Sequence, residues 1–405
     1  MKETPVLLLT GYLGSGKTTL VNRILSNRKG IRFAVIVNDI GEVNIDADLI
    51  EQGGVVGQKD DSLVALQNGC ICCTLKMDLV EQLRDIIGMD KFDYIVIEAS
   101  GICEPEPIAR TICSIPYMGP EYVEGGIPRL DCIVTVVDVL RMRDEFACAK
   151  DLLRGNLDED DIENLVIQQV EFCNIVLLNK ASEVSADELG KVREIIRALQ
   201  PKAKLVECDW GGVELEEILD TRLFNYDSVS ASAAWISAVE APVDDDDDDD
   251  DDDHDHDHDH EHDDHDGHHH HHHHHDDEGE AEEYGIGTYV YFQRKPFDIN
   301  KFDNFVAKHW PVGIIRAKGL CWFSVEPDNC YLFEQAGSQI SLRNAGKWYA
   351  TMPEDELERQ LETDATLRRD WDPEYGDRMQ KLVFIGQKLD KSAIRAALDF
   401  CVTEE

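Results

Sequence analysis

Eight residues near the N-terminus, GYLGSGKT from Gly11 to Thr18, have the types and spacing of a phosphate-binding loop. Glycines let backbone N–H groups turn toward phosphate oxygens, and the N-terminus of a following helix adds a favourable dipole. In this pattern Lys17 neutralises charge on the β- and γ-phosphates, and the Thr18 hydroxyl binds Mg²⁺. The sequence therefore predicts a nucleotide site that includes Gly11, Gly14, Ser15 and Gly16.

Two further apolar runs end in polar residues that suit the same site. Glu98 follows one run, at the strand end where open α/β sheets bind ligands, and could hold Mg²⁺ or orient an attacking water molecule. Asn179 and Lys180 follow another run and resemble the start of a guanine-reading NKxD loop. The Asp of that loop accepts hydrogen bonds that adenine does not offer, but Ser182 takes its place here. Guanine is indicated, and strict preference for GTP over ATP is left open.

Three cysteines, Cys70, Cys72 and Cys73, stand within four residues. Thiolates bind soft or borderline ions, and Zn²⁺ takes four tetrahedral ligands, so such a set leaves a position open for ligand exchange. In phosphate-loop proteins this interval of the chain carries nucleotide-sensing switches. Asp39 and Glu42 precede the cysteines and are accessory carboxylates for Mg²⁺ or the second metal. The alternatives are a reactive thiol cluster or small buried hydrophobic side chains.

A tract of Asp and His interrupts the second half of the chain. Ten Asp occupy residues 244–253, and fourteen of the 15 histidines lie between His254 and His275. The tract is nearly free of apolar residues, so its sequence predicts disorder. Imidazoles among carboxylates should chelate divalent ions loosely, which makes His254, His256, His258 and His260 a predicted weak metal reservoir. An inert solvating linker is the alternative.

The elements that must position these residues alternate between short apolar runs and amphipathic stretches. Runs rich in Val, Ile and Leu occur at 6–9, 33–37, 94–97, 133–137 and 175–178, and helical patterns at 19–25, 77–87 and 186–199. Such alternation predicts an α/β domain, a P-loop NTPase with a mostly parallel, doubly covered sheet. After the tract, strand patterns at 287–292, 320–325, 331–333 and 382–385 and helical patterns at 298–308 and 391–401 predict a smaller α+β domain.

Charge and composition limit the classes of partner. The 405 residues carry a formal net charge of −44, which disfavours nucleic acid and anionic membranes as partners. The N-terminus lacks the pattern of a signal peptide, and no stretch has about 18 apolar residues. Scattered cysteines in apolar contexts, such as Cys132 and Cys173, indicate reduced thiols rather than a disulfide framework. These features lead us to expect a cytoplasmic protein.

Five segments in order, GYLGSGKTTL, NDIGEVNID, NGCICCTL, IEASG and LLNK, resemble the CobW-like metallochaperone GTPases, which are related to urease- and hydrogenase-maturation GTPases. The segments RAKGLCWF and GDRMQKLVFIGQKLD are similar to the family's C-terminal domain. The resemblance covers nearly all of the chain except the Asp/His tract. Two departures are Asp39, where the family usually has Glu, and Ser182, where NKxD has Asp.

The resemblance implies a GTPase of the zinc-chaperone branch, with Thr19 added to the phosphate-binding residues and Cys70, Cys72 and Cys73 holding zinc, or sometimes cobalt. The family passes its metal to a client apo-metalloprotein and couples GTP hydrolysis to the transfer. The predicted organisation is a GTPase domain at 1–225, a linker with the tract at 226–283, and a CobW-like C-terminal domain at 284–405.

Two other functions fit the same residues. One is a passive zinc buffer in which the His-rich tract chelates and nucleotide only stabilises the fold. The other is a cobalt chaperone for corrinoid synthesis or nitrile hydratase activation, because thiolate sites accept Co²⁺ with similar geometry. The expected ligands are GTP, Mg²⁺ and Zn²⁺ or Co²⁺, and the sequence leaves a homodimer open.

Overall fold

The computed structural model describes residues 2–26, 30–37, 76–147, 157–230, 233, 285–337 and 339–403. The predicted cysteine site and the Asp/His tract lie outside these residues. Within the described ranges the chain forms two sheets, one in each half of the sequence.

The first sheet is six-stranded and parallel throughout, with the strand order β2-β3-β1-β4-β5-β6. Its strands are β1 (Glu3–Thr10), β2 (Phe33–Val37), β3 (Tyr94–Glu98), β4 (Ile127–Asp138), β5 (Ile175–Asn179) and β6 (Lys204–Cys208). Because all six strands run in the same direction, their carboxyl ends meet at one edge of the sheet. This is the edge where the predicted site residues occur.

Helices cover both faces of this sheet. They are α1 (Lys17–Leu25), α2 (Lys76–Gly88), α3 (Pro105–Ser114), α4 (Pro120–Val123), α5 (Val139–Ala147), α6 (Leu157–Glu171), α7 (Ala186–Leu199) and α8 (Tyr226–Ser230). Leu7 and Leu9 of β1 share a core with Leu20 of α1, whereas Val6 and Leu8 belong to the core on the opposite face. Burial on two faces explains why the strands read as nearly continuous apolar runs. The predicted α/β class is confirmed.

The second sheet is antiparallel, with the order β10-β9-β8-β11-β7. Its strands are β7 (Ile286–Gln293), β8 (Ile314–Trp322), β9 (Asn329–Ala336), β10 (Gln339–Lys347) and β11 (Gln380–Gln387). The helices of this half are α9 (Ile299–Lys308), α10 (Glu354–Thr363), α11 (Ala365–Arg369) and α12 (Lys391–Cys401). Phenylalanines such as Phe297, Phe302 and Phe384 fill the core between α9, α12 and the sheet.

The strand predicted at 320–325 was placed wrongly. Strand β8 begins earlier, at Ile314, and ends at Trp322. The chain then turns, since the N–H of Glu326 donates to the carbonyl of Phe323 at 3.2 Å. The apolar residues after Trp322 therefore belong to the turn that precedes β9.

The two sheets are joined by polar contacts between α6 and the second sheet. The guanidinium of Arg316 in β8 donates to both carboxylate oxygens of Glu171, at 2.9 and 3.1 Å. Asn164 donates to the side chain of Gln339 at 2.6 Å. The end of α6 thus lies against the C-terminal sheet, and the domain boundaries drawn from the sequence remain predictions.

Candidate nucleotide site at the carboxyl edge of the parallel sheet

The predicted phosphate loop connects β1 to α1. Gly16 precedes the helix with φ of 108°, and a Cβ atom there would stand 2.3 Å from Nδ2 of Asn179. Only glycine meets both conditions, the left-handed backbone and the close approach. The N-cap residue is Gly16, which has no side chain to cap the first turn of α1, so that turn presents its N–H groups and its dipole to the loop, as anion binding requires.

Lys17 lies inside the loop rather than in solvent. Its side chain is buried, and Nζ donates to the carbonyl oxygens of Gly11 at 2.7 Å and Tyr12 at 3.2 Å. The guanidinium of Arg141 stacks on the Tyr12 ring at 4.1 Å from the centroid. The loop therefore holds a positive charge close to the place where phosphate oxygens would enter.

Glu98 meets the phosphate loop through Thr18. The Thr18 hydroxyl donates to Oε1 of Glu98 at 3.0 Å, and Glu98 is 1% exposed. The parallel pairing of β1 and β3 sets Leu9 opposite Glu98, which brings the carboxylate to the loop. Two hard oxygen donors this close fit Mg²⁺, so Thr18 and Glu98 are the residues that would hold it. Bound there, Mg²⁺ would neutralise charge on the phosphates.

A buried glutamine of α6 forms hydrogen bonds to the segment after Glu98. Gln169 is 1% exposed, and its Nε2 donates to the carbonyl oxygens of Gly101 at 3.2 Å and Cys103 at 3.1 Å. A Cβ atom on Gly101 would stand 2.6 Å from the N of Leu13, so this segment also packs against the phosphate loop. Thr135 of β4 donates to the carbonyl of Gln169 at 2.8 Å and fixes the helix in turn.

Asn179 forms hydrogen bonds to two loops, the phosphate loop and the loop after β6. Its Nδ2 donates to the carbonyl of Ser15 at 2.7 Å, and its Oδ1 accepts from the N–H of Gly211 at 3.1 Å. Lys180 has a left-handed backbone, with φ of 63°, and its ammonium forms an ion pair with Asp138 at the end of β4. The loop after β5 is therefore tied both to the phosphate loop and to the loop after β6.

The structure brings together the predicted residues of the phosphate loop, Glu98 and Asn179. Other predicted metal residues lie outside the described part of the chain: Cys70, Cys72, Cys73, Asp39, Glu42, His254, His256, His258 and His260. Within the described ranges, no group of three or more His, Cys, Asp or Glu side chains is placed to hold a metal ion. Within the same ranges, no helix has the length and apolarity to cross a membrane.

Cysteines inside the cores do not compete as metal ligands. Cys132 and Cys173 are buried free thiols. Burial raises the pKa of each to about 12, because the thiolate form is poorly solvated there. Thiols held in the protonated form are not ligands for zinc.

Three residues of this edge escaped the sequence analysis: Asp138, Gln169 and Asp209. Asp138 ends an apolar strand as Glu98 does, so its position at a strand end could have identified it from the sequence. Gln169 lies within a helix, where nothing local marks it. Asp209 follows β6, and its carboxylate accepts hydrogen bonds from Ser182. The fold and this site define a P-loop nucleotide-binding protein.

Comparison with known proteins narrows the class. Residues 5–207 match the family described as "CobW/HypB/UreG, nucleotide-binding domain", and residues 286–402 match "Cobalamin synthesis protein cobW C-terminal domain". The chain therefore belongs to the CobW/HypB/UreG family, and it is a GTPase.

The chain is similar to several individual proteins, among them two curated relatives and one solved structure. "Zinc-regulated GTPase metalloprotein activator 1" of Dictyostelium discoideum is 32% identical over 422 aligned positions, which cover 99% of this chain and 80% of that protein. "Zinc chaperone CobW" of Pseudomonas aeruginosa is 32% identical over 54% of this chain and 60% of its own length. Among solved structures, Zn(II)-bound YjiA GTPase from E. coli matches with a TM-score of 0.40 and 20% identity, with 100% of both chains covered.

Proposed function

We propose that this GTPase is a metallochaperone that binds zinc through Cys70, Cys72 and Cys73 and transfers it to a client apo-metalloprotein in the cytoplasm. The names of the relatives, zinc-regulated activator and zinc chaperone, support the metal and the client. In this proposal GTP hydrolysis is coupled to the transfer, and the His-rich tract supplies loosely held ions to the cysteines.

The hydrogen bond between Thr18 and Glu98 supports the hydrolysis part of the proposal. It places a carboxylate from the end of β3 against the hydroxyl that follows the phosphate-loop lysine, at 3.0 Å. Catalysis is then mainly electrostatic: Lys17 and backbone N–H groups stabilise charge on the transferring phosphoryl group, and Glu98 orients the attacking water.

Coupling to the rest of the molecule starts directly after Glu98. Gln169 binds the carbonyls of Gly101 and Cys103, so a change of this segment on loss of the γ-phosphate acts on the last turn of α6. Two residues further on, Glu171 binds Arg316 of the C-terminal sheet. The same movement thus reaches the second half of the chain.

The cysteine assignment is tested by Cys72→Ser. We expect the variant to lose the tightly bound zinc while GDP binding is retained, because the phosphate loop is unchanged. Cys113→Ser is the matched control, since Cys113 is a half-buried thiol outside the predicted motif. Zinc is measured by metal analysis and competition with a chelating dye. Equal zinc retention by Cys72→Ser and the control would contradict the assignment.

The coupling is tested by zinc affinity in three nucleotide states: empty, GDP-bound and bound to a non-hydrolysable GTP analogue. We expect affinity to differ between the last two states, and equal affinities in all three would exclude a delivery role. Deletion of residues 244–283 separates this proposal from a passive buffer. Tight zinc binding should survive the deletion, whereas its loss would favour the buffer. Parallel titration with Co²⁺ addresses the choice of metal.

A further inference from the structure

The base-reading loop of this GTPase lacks its carboxylate. Asn179 and Lys180 are present, but Ser182 stands where the motif has Asp. In that motif the carboxylate accepts from guanine N1–H and from the exocyclic amine, whereas adenine offers neither pattern. A serine hydroxyl accepts hydrogen bonds less strongly than a charged carboxylate. A GTPase built this way needs another acceptor at the same place.

Asp209 supplies a carboxylate at that place. Its Oδ1 accepts from the backbone N–H of Ser182 at 3.0 Å and from the Ser182 hydroxyl at 3.0 Å. The Ser182 Oγ occupies the position that Cγ of an aspartate would take in the same rotamer. The Asp209 carboxylate is therefore hydrogen-bonded to the residue that occupies the position of the Asp in the NKxD motif.

One oxygen of this carboxylate is left for a ligand. Both bonds from Ser182 go to Oδ1, and among the described residues Oδ2 accepts no hydrogen bond. Asp209 is half-buried and Ser182 is exposed, so the pair lies at the surface of the site rather than in a core.

The surrounding loops hold the pair relative to the phosphate loop. The register of β5 and β6 sets Asn179 opposite Cys208, so Asp209 leaves the sheet at the same edge as Lys180. Asn179 joins the carbonyl of Ser15 to the N–H of Gly211, two residues beyond Asp209. Ser182 itself lies in a short 3-10 turn, Ala181–Glu183. The carboxylate is therefore fixed on the base side of a phosphate site.

We propose that Asp209 is the residue that selects guanine in this protein, with its carboxylate accepting from N1–H and the 2-amino group. Ser182 is its positioning residue. The inference depends on nucleotide binding at the phosphate loop and is independent of zinc transfer.

Glu183 is the rival acceptor, because it follows Ser182 directly. Its backbone N–H closes the 3-10 turn onto the carbonyl of Lys180 at 3.0 Å. Its side chain is exposed, and no hydrogen bond in the described part of the chain orients its carboxylate. Ordering such a long side chain on the base costs rotamer entropy that the anchored Asp209 has already lost.

The test uses full-length protein and competition binding of GDP, inosine diphosphate and xanthosine diphosphate. Asp209→Asn should lower GDP affinity about 10- to 100-fold, the range for a lost hydrogen bond to a charged group. The same variant should shift preference from GDP toward xanthosine diphosphate, because the amide oxygen stays on Ser182 and the Nδ2 that replaces Oδ2 can donate to the 2-oxo group but cannot accept from the guanine 2-amino group. Glu183→Gln is the matched control and should leave both affinities unchanged.

Two further variants separate base reading from a structural role. Ser182→Ala should reduce the ratio of GDP to inosine diphosphate affinity, because inosine lacks the 2-amino group; a loss of loop stability alone would lower both equally. In the Asp209→Asn background, Ser182→Asp should restore preference for GDP over xanthosine diphosphate.

Three results would overturn the proposal. The first is an unchanged ratio of GDP to xanthosine diphosphate affinity in Asp209→Asn, and the second is a switch produced by Glu183→Gln instead. The third applies if Asp209→Asn binds no nucleotide at all. In that case the double variant Asp209→Asn, Ser182→Asp is measured, and its failure to recover preference for GDP overturns the proposal. None of these results bears on zinc binding at the cysteines, so failure here is distinguishable from failure of the chaperone function.

Discussion

Removal of the Glu171 side chain should lower the free energy of unfolding, because its carboxylate neutralises the buried guanidinium of Arg316 between the two sheets. The side chains of Arg316 and Glu171 are 3% and 9% exposed, and the guanidinium binds both carboxylate oxygens. Breaking a buried pair by removing one partner costs about 3–5 kcal/mol, mainly through the charge left behind. Glu334 remains 4.0 Å from Nη2 of Arg316 and compensates in part.

We therefore expect the lower end of this range for Glu171→Ala, about 3 kcal/mol. For a domain of this size that loss lowers the unfolding midpoint by about 6 to 12 °C. The double variant Glu171→Leu, Arg316→Met should recover much of the loss, because it removes both charges and keeps apolar volume.

Two spectroscopic signals follow the two halves of the protein. Four of the 6 tryptophans lie in residues 285–403, so fluorescence reports mainly on the C-terminal half, whereas far-UV circular dichroism reports on both. The transitions seen by the two signals should separate further in Glu171→Ala than in the wild type. Glu217→Ala is the control, since its ion pair with Lys204 is exposed and worth about 1 kcal/mol or less. A loss in Glu171→Ala no larger than in this control would refute the reasoning.

Two other predictions concern single carboxylates. Glu98→Gln should lower GTP turnover about 100-fold and retain GDP binding, measured by phosphate release and nucleotide titration; unchanged turnover would remove Glu98 from catalysis. Burial opposes ionisation of Asp131, but hydrogen bonds from Tyr94, Arg129 and two backbone N–H groups outweigh it, so its pKa is lowered. Its stabilising contribution is therefore complete above the unfolded value of about 3.9 and is lost as pH falls below it. Asp131→Asn should cost about 2 kcal/mol at pH 7, and the difference from the wild type in urea unfolding should shrink below pH 4; a constant difference would contradict this.

The sequence predicted the strands that are buried on both faces, because such strands are composed almost entirely of apolar residues. β1, β2, β3 and β5 are buried on both faces, so their apolar runs stand out from the flanking residues. β6 was missed because it is an edge strand whose central residues are half-buried, and β10 because it is exposed along most of its length. Strands that bury fewer side chains carry less of the apolar pattern, whereas β2 also lies at a sheet edge but is buried throughout and was predicted.

The site was predictable where one local motif defines it. The phosphate loop spans eight consecutive residues, and its glycines and lysine are recognisable without the fold. Asp209 and Gln169 act through partners far along the chain: Asp209 on Ser182, and Gln169 on Gly101 and Cys103. Such pairs depend on strand order and register, which single-sequence periodicity does not specify.

The last turn of α6 contains the two contacts on which the proposed coupling depends. Gln169 reaches into the segment that follows Glu98, and Glu171 faces the opposite direction toward Arg316. Both side chains are nearly excluded from water, so neither can be released without leaving a buried polar group unsatisfied. A displacement of the segment at Gly101 and Cys103 therefore either breaks the glutamine contacts or carries the end of the helix with it. In the second case the ion pair between Glu171 and Arg316 must either break or move, and if it stays intact the C-terminal sheet moves with the helix.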